Sequence, residues 1–470
     1  MTYTLFIFFR DFRIQDNNGL NEVMKTKSNV IPIFIFVDEQ INPRKNKYFS
    51  HNCVQFLCES LEDLHMNFMK KGRELYIFRA SDITTVLNSI CNQIDVDCIA
   101  YNRDYTPYAR KREDILEEWC DKKDIIHEVY EDYLLAPMGE FLKHTGEVYS
   151  VYTPFRNNLM KDLTKIAKPS RANTKNISLK DELKHNKHYY SIPDLSRLYI
   201  RNPLKLVDGG RQRGLYLLQR TRKIPYDLKR DQLTFSTSRL SAYIKFGNIS
   251  IREVFWKFHN DKQEGLVNQL IWREFYFYIS YYHPRTLDQF RQKSKNYNPK
   301  FNKVKWVNKE KWFNAWKNGD TGYPVVDACM RELNTTGYMH NRGRLISANF
   351  LNRILGHDWR KGEQYFATKL TDYDPAVNNG NWQWIASTGT DTKPYFQRLF
   401  NPWLQSEKAD RDARYIKKWL PQLKDIPAHE LHQWDKYCNK YNMYELGYVY
   451  PIVNYSVERE RSVQQYREVL

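Results

Sequence analysis

The sequence predicts two domains, a parallel α/β domain followed by an all-helical domain, and three observations predict this. The chain has 470 residues, more than the roughly 250 to 300 at which one hydrophobic core stops growing. Over about residues 1–130, short apolar runs alternate with helix-like segments, which is typical of a parallel sheet with crossover helices. From about residue 201 the apolar spacing becomes helical and stays so to the end.

Three segments carry the α/β prediction. "YTLFIFF", "NVIPIFIFV" and "DVDCIAYN" are apolar and rich in β-branched or aromatic residues, as buried strands are. "CVQFLCESLEDLHMNFMKKG", by contrast, has the pattern of a helix. Residues 131–200 follow as an interdomain connection, because Lys, Asn and Ser dominate "KIAKPSRANTKNISLKDELKHNKHYY". We therefore expect domains at 1–130 and 201–470.

The helical half contains the residues that begin and end helices. Ser250 and Glu253 fit a capping box, Gly247 and Gly356 suit helix C-termini, and Pro324 suits a first turn. The chain lacks a GxGxxG motif, a P-loop and a nucleophile elbow. A phosphate-bearing cofactor must therefore be held in another way. The hydroxyls of "STSRLSAY" (236–243), at an apparent helix start, are a candidate phosphate-binding site.

Composition favours a nucleic-acid partner. Lys and Arg number 73 against 55 Asp and Glu, a net charge of +18, and basic surfaces bind polyanions. The 12 Trp, 34 Tyr and 25 Phe can stack on unpaired bases. Seven cysteines without a Cys-x-x-Cys pair predict a reducing, intracellular compartment, without zinc or an iron–sulfur cluster. No apolar run approaches the roughly 18 residues of a membrane span, so we expect a soluble protein without membrane contact.

Two helical patterns place polar groups beside core residues. In "GLVNQLIWREFYFYISYYHP" one half of the helix is apolar and is predicted to be core; it comprises Leu266, Leu270, Ile271, Phe275, Phe277 and Tyr278. The remaining arc carries Gln269, Trp272, Arg273 and Tyr276. In "GYMHNRGRLISANFL", Arg344 shares a stripe with Asn341, Leu345 and Ala348. An arginine among such neighbours requires a buried acid or a phosphate.

Asp372 and Asp374 in "LTDYDP" are the candidate acids. Asp-x-Asp also occurs in divalent-cation sites, but no third carboxylate lies at a suitable spacing, so no metal is expected. Trp382 and Trp384 follow in "NNGNWQWIASTG". On a helix these two indoles would point about 200° apart, and on a strand they would share a polar face. Neither geometry makes a simple apolar core, so a purely structural role is less expected for this pair than for a single tryptophan.

Six segments in order resemble the photolyase/cryptochrome family, and in particular the microbial class I cyclobutane pyrimidine dimer (CPD) photolyases. They are "FFRDFRIQDNNGL", "TSRLSAYIKFGNIS", "LIWREFYFYISYYHP", "TGYPVVDACMRELNTTGYMHNR", "NNGNWQWIASTGTD" and "FNPWLQSEKAD". The resemblance implies a Rossmann-like antenna domain and a helical domain that binds FAD in a folded conformation. It also implies a monomer that repairs damaged DNA: reduced FAD, excited by blue or near-UV light, donates an electron to a flipped-out pyrimidine dimer and splits it.

The same resemblance assigns roles to individual residues. Flavin contacts are Tyr226, Thr237, Ser238, Arg239, Leu240, Ser241, the ion pair Arg344–Asp372, Asp374, and Asn378 facing flavin N5. Trp272 and Trp384 resemble the aromatics that sandwich the dimer; near the lesion or DNA backbone lie Arg230, Gln269, Arg273, Tyr276, Asn341, Arg342, Leu345 and Gln405. The catalytic set is Gln269, Trp272, Asn341, Asn378 and Trp384. Trp382, Trp359 and Trp306 resemble an electron-transfer chain from the surface to the flavin.

Two departures leave alternatives open. Gln269 stands where class I enzymes have glutamate, and Leu345 where a methionine is expected. Gln269 is more typical of (6-4) photolyases, but their histidine pair falls on Asn341 and Leu345, which cannot act as general acids. A cryptochrome-type photoreceptor is a second alternative, disfavoured by both stacking tryptophans and by the early end at "YREVL". A plain single-strand binding protein leaves the flavin-type residues unexplained.

The antenna chromophore is also open. "YNRDYTPYARKRE" (101–113) lies where the family builds its second-chromophore pocket. Methenyltetrahydrofolate, 8-hydroxy-5-deazaflavin or no antenna all fit the sequence.

Overall fold

A computed structural model describes residues 1–287, 299–390 and 398–469. Asp391, the last residue of the segment "NNGNWQWIASTGTD", lies outside them. The chain divides into two compact units. Unit 1 comprises Met1–Asn202, Val207–Lys223 and Ser238–Tyr282, and unit 2 comprises Pro203–Leu206, Ile224–Thr237 and His283–Leu470.

Unit 1 contains a five-stranded parallel sheet. Its strands are β1 (Tyr3–Ile7), β2 (Val30–Val37), β3 (Tyr76–Ala80), β4 (Val96–Asn102) and β5 (Ile126–Tyr130), in the order β3-β2-β1-β4-β5. The accompanying helices are α1 (Asn18–Thr26), α2 (Asp38–Ile41), α3 (His51–Met69), α4 (Ile83–Cys91) and α5 (Pro107–Lys123). The apolar runs become β1, β2 and β4 because both faces of a parallel sheet are covered by helices. The predicted α/β architecture is confirmed.

The lysine-rich stretch between residues 131 and 200 has local structure in spite of its weak periodicity. It contains the helix α6 (Tyr152–Lys161) and short 3₁₀ turns at Leu163–Lys165, Asp181–His185 and Ile192–Leu198. Asn176 donates to the backbone oxygens of Met24 and Lys27 at 3.1 and 2.7 Å, and Ile177 forms a bridge with Val30. Side-chain hydrogen bonds therefore fix a segment that has few apolar residues to bury.

Charged residues of the segment "FFRDFRIQDNNGL" belong to a buried ionic network in unit 1. Asp132 lies 2.6 Å from the Arg13 guanidinium and 2.8 Å from that of Arg252. Asp16 lies 3.2 Å from Arg252. Burial alone would raise the pKa of Asp132, but the two guanidinium groups outweigh it and hold the pKa at about 2. These charges thus join the start of the chain to a helix some 240 residues later.

Six further helices run from the connection to residue 282. After α6 come α7 (Arg211–Arg220), α8 (Tyr226–Lys229), α9 (Ser241–Lys245), α10 (Ile251–Asn260) and α11 (Glu264–Tyr282), of which α8 belongs to unit 2. Ser250 and Glu253 form the predicted capping box at α10. Every residue of the predicted apolar half of α11 is buried, which confirms that periodicity identified its core face.

Unit 2 is helical throughout its described residues. Its longer helices are α12 (Glu310–Asn318), α13 (Pro324–Thr336), α14 (Asn341–Asn349), α15 (Trp359–Lys369), α16 (Pro375–Ala386) and α17 (Pro402–Ala409). A π-helical turn, Phe350–Ile354, follows α14. The chain ends in α18 (Arg414–Trp419), α19 (Ala428–Leu431), α20 (Trp434–Tyr437), α21 (Met443–Leu446) and α22 (Tyr455–Arg467). Pro324 opens α13 as predicted.

Candidate functional site

The arginine that required a buried partner finds one in unit 2. Arg344 on α14 donates through Nη2 to both carboxylate oxygens of Asp372, at 2.9 and 3.1 Å. Its Nε donates to the backbone oxygen of Met339 at 2.9 Å. The Asp372 side chain is 5% exposed. Burial lowers the pKa of Arg344, but Asp372 more than compensates and raises it, so the site holds a charged pair.

Two polar residues of α16 lie next along the chain. Asp374 caps the helix, accepting from the backbone N–H groups of Ala376 and Val377 at 3.0 and 3.4 Å. Asn378 donates through Nδ2 to the carboxylate of Glu363 at 2.9 Å and to its backbone oxygen at 3.2 Å. Because both amide hydrogens are committed to Glu363, the carbonyl oxygen of Asn378 is the atom that can accept from a ligand.

The hydroxyl-rich segment 237–241 starts a helix as predicted. Helix α9 begins at Ser241, and no described side chain caps it at Leu240. Arg239 has a φ of +54°, the left-handed region that an arginine seldom adopts. In unit 2, the Thr237 hydroxyl lies 3.4 Å from the Tyr338 hydroxyl, and Tyr226 is buried at the start of α8. A helix start without a side-chain cap leaves its first backbone N–H groups to other acceptors.

The two tryptophans of the motif lie on one helix, α16, in unlike surroundings. Trp382 is 2% exposed and meets Phe366 and Trp316 edge-on, with ring centroids 5.0 and 6.4 Å away. A Cβ atom at Gly362 would lie 2.3 Å from its indole, so only glycine fits there. Trp384 is partly buried, and the Arg398 guanidinium lies 3.5 Å from its ring centroid. The helix therefore separates the two indoles as its geometry requires.

The other two tryptophans of the predicted chain also lie in unit 2. Trp359 is the first residue of α15 and is fully buried. Trp306 is partly buried and meets Tyr466 edge-on at 6.3 Å. Trp306 is thus the most exposed of the three residues, and Trp382 and Trp359 both belong to the core of unit 2.

The unit 2 residues predicted to contact DNA lie mostly at the surface. Arg230 and Asn341 are exposed, whereas Leu345 and Gln405 are partly buried. Arg342 is paired with Asp231, whose Oδ1 lies 3.2 Å from Nε. The Asp231 side chain is itself largely exposed, so an incoming phosphate can compete with it for Arg342.

A histidine that the sequence did not single out caps α14. His340 accepts through Nδ1 from the backbone N–H of Arg342 at 3.1 Å. Burial, followed by the charges of Arg344 and Arg342, lowers the pKa of His340 to about 4. The imidazole is therefore neutral at physiological pH and serves as a cap, not as an acid.

The mixed face of α11 in unit 1 is less uniform than its sequence indicated. Gln269 is exposed, Trp272 partly buried and Tyr276 buried. Arg273, whose side chain is 10% exposed, contacts the Glu274 carboxylate at 2.9 Å and the backbone oxygen of Tyr133 at 3.1 Å. Burial raises the pKa of Glu274 to about 7 against the opposing charge of Arg273. The charge of Arg273 is thus engaged inside unit 1.

Several neighbours of the predicted residues were not found from the sequence. Glu363 orients Asn378, Asp231 pairs with Arg342, and Arg398 lies over Trp384. Each is at least 14 residues from its partner. Helical and strand periodicity reach only a few residues, so no local pattern could have found these contacts.

A parallel α/β unit and a helical unit with an embedded Arg–Asp pair are the architecture of a photolyase/cryptochrome-type protein. A family model described as DNA photolyase matches residues 4–174, and one described as FAD binding domain of DNA photolyase matches residues 266–468. The deoxyribodipyrimidine photo-lyase of Halobacterium salinarum is 32% identical, over 98% of this chain and 98% of its own. The chain belongs to the DNA photolyase family.

Solved structures share the whole fold. An archaeal photolyase from Sulfolobus tokodaii, described with two FAD molecules, is 38% identical with a TM-score of 0.87, covering 100% of both chains. A cryptochrome from Synechocystis is 25% identical with a TM-score of 0.86, covering 100% of this chain and 99% of its own. Since repair enzymes and a cryptochrome share the architecture, side chains must distinguish the functions.

Two features are absent from the described residues. None of the helices there is both long and apolar enough to cross a membrane. Within the same ranges, no cluster of three or more His, Cys, Asp or Glu side chains could hold a metal ion.

Proposed function

We propose that the protein is a light-dependent DNA repair enzyme, a deoxyribodipyrimidine photo-lyase that splits cyclobutane pyrimidine dimers in DNA. The observation that carries this proposal is the charged Arg344–Asp372 pair of unit 2, in the same unit as Asn378, whose amide is oriented by Glu363. An ion pair largely withdrawn from water is costly to maintain in a helical core. It is explained by a polar, planar ligand such as an isoalloxazine ring.

The donor set fits FAD. Asn378 offers an acceptor oxygen, which suits the N5–H of a reduced flavin, and Arg344 with Asp372 offers complementary charge to the ring edge. Tyr226 and the segment 237–241 offer hydroxyls and backbone N–H groups for phosphate and ribityl oxygens, and Asp374 orders the start of the helix that carries Asn378. When bound, reduced FAD supplies the light-excited electron that opens the cyclobutane ring.

DNA recognition follows from the exposed residues. Trp272 and Trp384 each offer an indole face on which a flipped-out pyrimidine can stack, and a damaged pair is less costly to open. Arg230, Asn341, Arg342 and Gln405 contact the DNA backbone or lesion, supported by the net charge of +18. Gln269 donates a hydrogen bond to the lesion carbonyls. Arg273 and Tyr276 are the further proposed DNA contacts of unit 1, where the Tyr276 ring lies 5.7 Å from that of Trp272.

Trp382, Trp359 and Trp306 form the proposed route by which an electron from the surface returns oxidised flavin to its active state. Indole is far easier to oxidise than the phenyl ring of phenylalanine, and the route lies within unit 2, whose core excludes water around Trp382 and Trp359. Because Gly362 has no side chain, the Trp382 indole packs directly against the backbone of α15.

The dimer is preferred to the (6-4) photoproduct as substrate because no acid is available at the corresponding positions. Asn341 and Leu345 do not ionise, and the neighbouring His340 is neutral and occupied as a helix cap. A cryptochrome-type function is the second candidate, favoured only by the shared fold.

We also propose that the enzyme is a monomer of a reducing intracellular compartment, where its seven free cysteines remain reduced. Domains at 1–130 and 201–470, with a connection at 131–200, remain a prediction that limited proteolysis tests. Size-exclusion chromatography with light scattering tests the monomer, and the absorption spectrum of the purified protein identifies any antenna chromophore.

One experiment tests the proposed function. Purified protein is reduced in the dark, mixed with oligonucleotides that carry either a CPD or a (6-4) photoproduct, and exposed to blue light. Repair of the CPD alone is expected. Arg344→Met, which removes the guanidinium that pairs with Asp372, is expected to abolish flavin retention, whereas Lys361→Met, which removes an exposed cation of α15, is expected to keep it. A colourless protein that FAD cannot reconstitute would refute the proposal, and repair of neither lesion would favour the cryptochrome alternative.

A further inference from the structure

Tyr152, at the start of α6, covers one face of Trp272 in unit 1. The two ring centroids are 3.7 Å apart and the planes are inclined by only 4°. Most aromatic pairs are offset or edge-to-face with centroids 4.5–7 Å apart, so this pair is unusually close and parallel. One of the two faces of the indole is therefore occupied by the phenol ring.

Tyr152 is held in this position by two other contacts. Its hydroxyl donates to the backbone oxygen of Asn268 at 3.0 Å, one helical turn before Trp272. Its ring meets Phe275 edge-on at 6.0 Å, and the residue is 9% exposed. Because helical side chains lean toward the N-terminus, the stacking contact and the hydrogen bond reach the same turn of α11. The phenol ring cannot turn without losing both.

The indole is also restricted at its edges. Phe275 meets Trp272 edge-on at 5.7 Å, and Tyr276 lies 5.7 Å away at an inclination of 33°. Trp272 nevertheless remains partly exposed. These contacts thus fix the orientation of the Trp272 ring. A planar ligand can stack only on the face that Tyr152 does not cover.

We propose that Tyr152 is a positioning residue for pyrimidine recognition, which acts by holding the Trp272 indole in a base-stacking orientation before DNA arrives. This rests on the proposed function, in which Trp272 stacks on a flipped-out pyrimidine. A free indole on a partly exposed helix face would lose side-chain entropy when it is immobilised on binding. Holding the ring in advance removes that cost, so Tyr152 strengthens binding without touching DNA.

Three variants separate positioning from ordinary packing. Tyr152→Ala removes the ring, Tyr152→Phe keeps the ring and removes the hydroxyl, and Phe155→Leu perturbs the packing of α6 one turn later without a ring contact to Trp272. Phe155 packs on Phe275 and Tyr278 instead, at 5.5 and 5.2 Å. Fluorescence anisotropy in the dark gives the Kd of each variant for dimer-containing and undamaged oligonucleotides.

Tyr152→Ala is expected to weaken binding to dimer-containing DNA about tenfold, with undamaged DNA bound as by the parent. Tyr152→Phe and Phe155→Leu are expected to stay within about twofold of the parent for both DNAs. In repair kinetics the Tyr152→Ala effect should fall on KM and not on kcat, because the residue acts before the chemical step. An unchanged dimer preference in Tyr152→Ala, or an equal loss in Phe155→Leu, would overturn the proposal.

A double-mutant cycle separates this inference from the proposed function. If Tyr152 acts through Trp272, adding Tyr152→Ala to Trp272→Ala costs no further dimer affinity. Additive losses would overturn the positioning role while leaving Trp272 as a stacking residue. If Trp272→Ala alone keeps the parental preference, the assigned role of Trp272 in the proposed function fails, and the role of Tyr152 fails with it.

Discussion

Replacing Asp132 by asparagine tests whether the N-terminal charged segment stabilises unit 1. The Asp132 side chain is 1% exposed and lies 2.6 and 2.8 Å from the guanidinium groups of Arg13 and Arg252. It also accepts from the backbone N–H of Asn18 at 3.0 Å. Asparagine keeps the size but removes the anion that two buried cations share, so that Arg13 loses its ion pair and Arg252 keeps only the one with Asp16. We expect the free energy of unfolding to fall by about 3 to 5 kcal/mol near neutral pH.

The pH dependence gives an independent value for the contribution of Asp132 to the free energy of unfolding. The pKa of Asp132 is lowered from 3.8 to about 2 in the folded state. Since the folded value lies below the unfolded one, the stabilisation is complete above the unfolded pKa and is lost as the pH falls from about 4 toward 2. The difference of 3.8 minus about 2 corresponds to about 2 kcal/mol. The gap between parent and Asp132→Asn should shrink by that amount across this window.

Hydrogen–deuterium exchange of the β1 and β4 amides in increasing urea, near neutral pH and in acid, measures the stability of unit 1 itself. Asp181→Asn is the matched control, because that side chain is 81% exposed beside Lys184. The control should stay within about 0.5 kcal/mol of the parent. A gap of equal size at both pH values, or a similar loss in the control, would show that the buried network does not act as described.

Three further changes have defined outcomes. Asp231→Asn should strengthen DNA binding by a factor of about five at most, because it frees Arg342 from an exposed ion pair, and anisotropy titrations against salt will show whether affinity rises. Trp382→Phe should block photoreduction of oxidised flavin, while repair by chemically reduced enzyme survives. If transient absorption shows flavin photoreduction at the parental rate in this variant, the electron must follow another path. Gln269→Glu should give a repair yield that falls as pH rises, since a glutamate donates a hydrogen bond only when protonated, and a flat profile would show that residue 269 does not act on the lesion.

Much of the architecture follows from the sequence because periodicity and end signals act over a few residues. The apolar runs become β1, β2 and β4, and the capping box at Ser250 closes as its spacing requires. The apolar half of α11 is buried along its whole length. The need of Arg344 for an acid also follows from the sequence, because a cation among core residues must be paired, and Asp372 supplies the pair.

The neighbours that set the properties of these residues depend on tertiary structure alone. Helical spacing marks Trp272 and Trp384 as unusual, but it gives no information on the Tyr152 ring over one or the Arg398 guanidinium over the other. On the mixed face of α11, the same spacing cannot distinguish exposed Gln269 from Arg273, which donates to the backbone oxygen of Tyr133. The physical reason is common to all of them: spacing fixes the direction in which a side chain leaves its helix, whereas its exposure, charge partner and available face depend on segments that pack there from more than ten residues away.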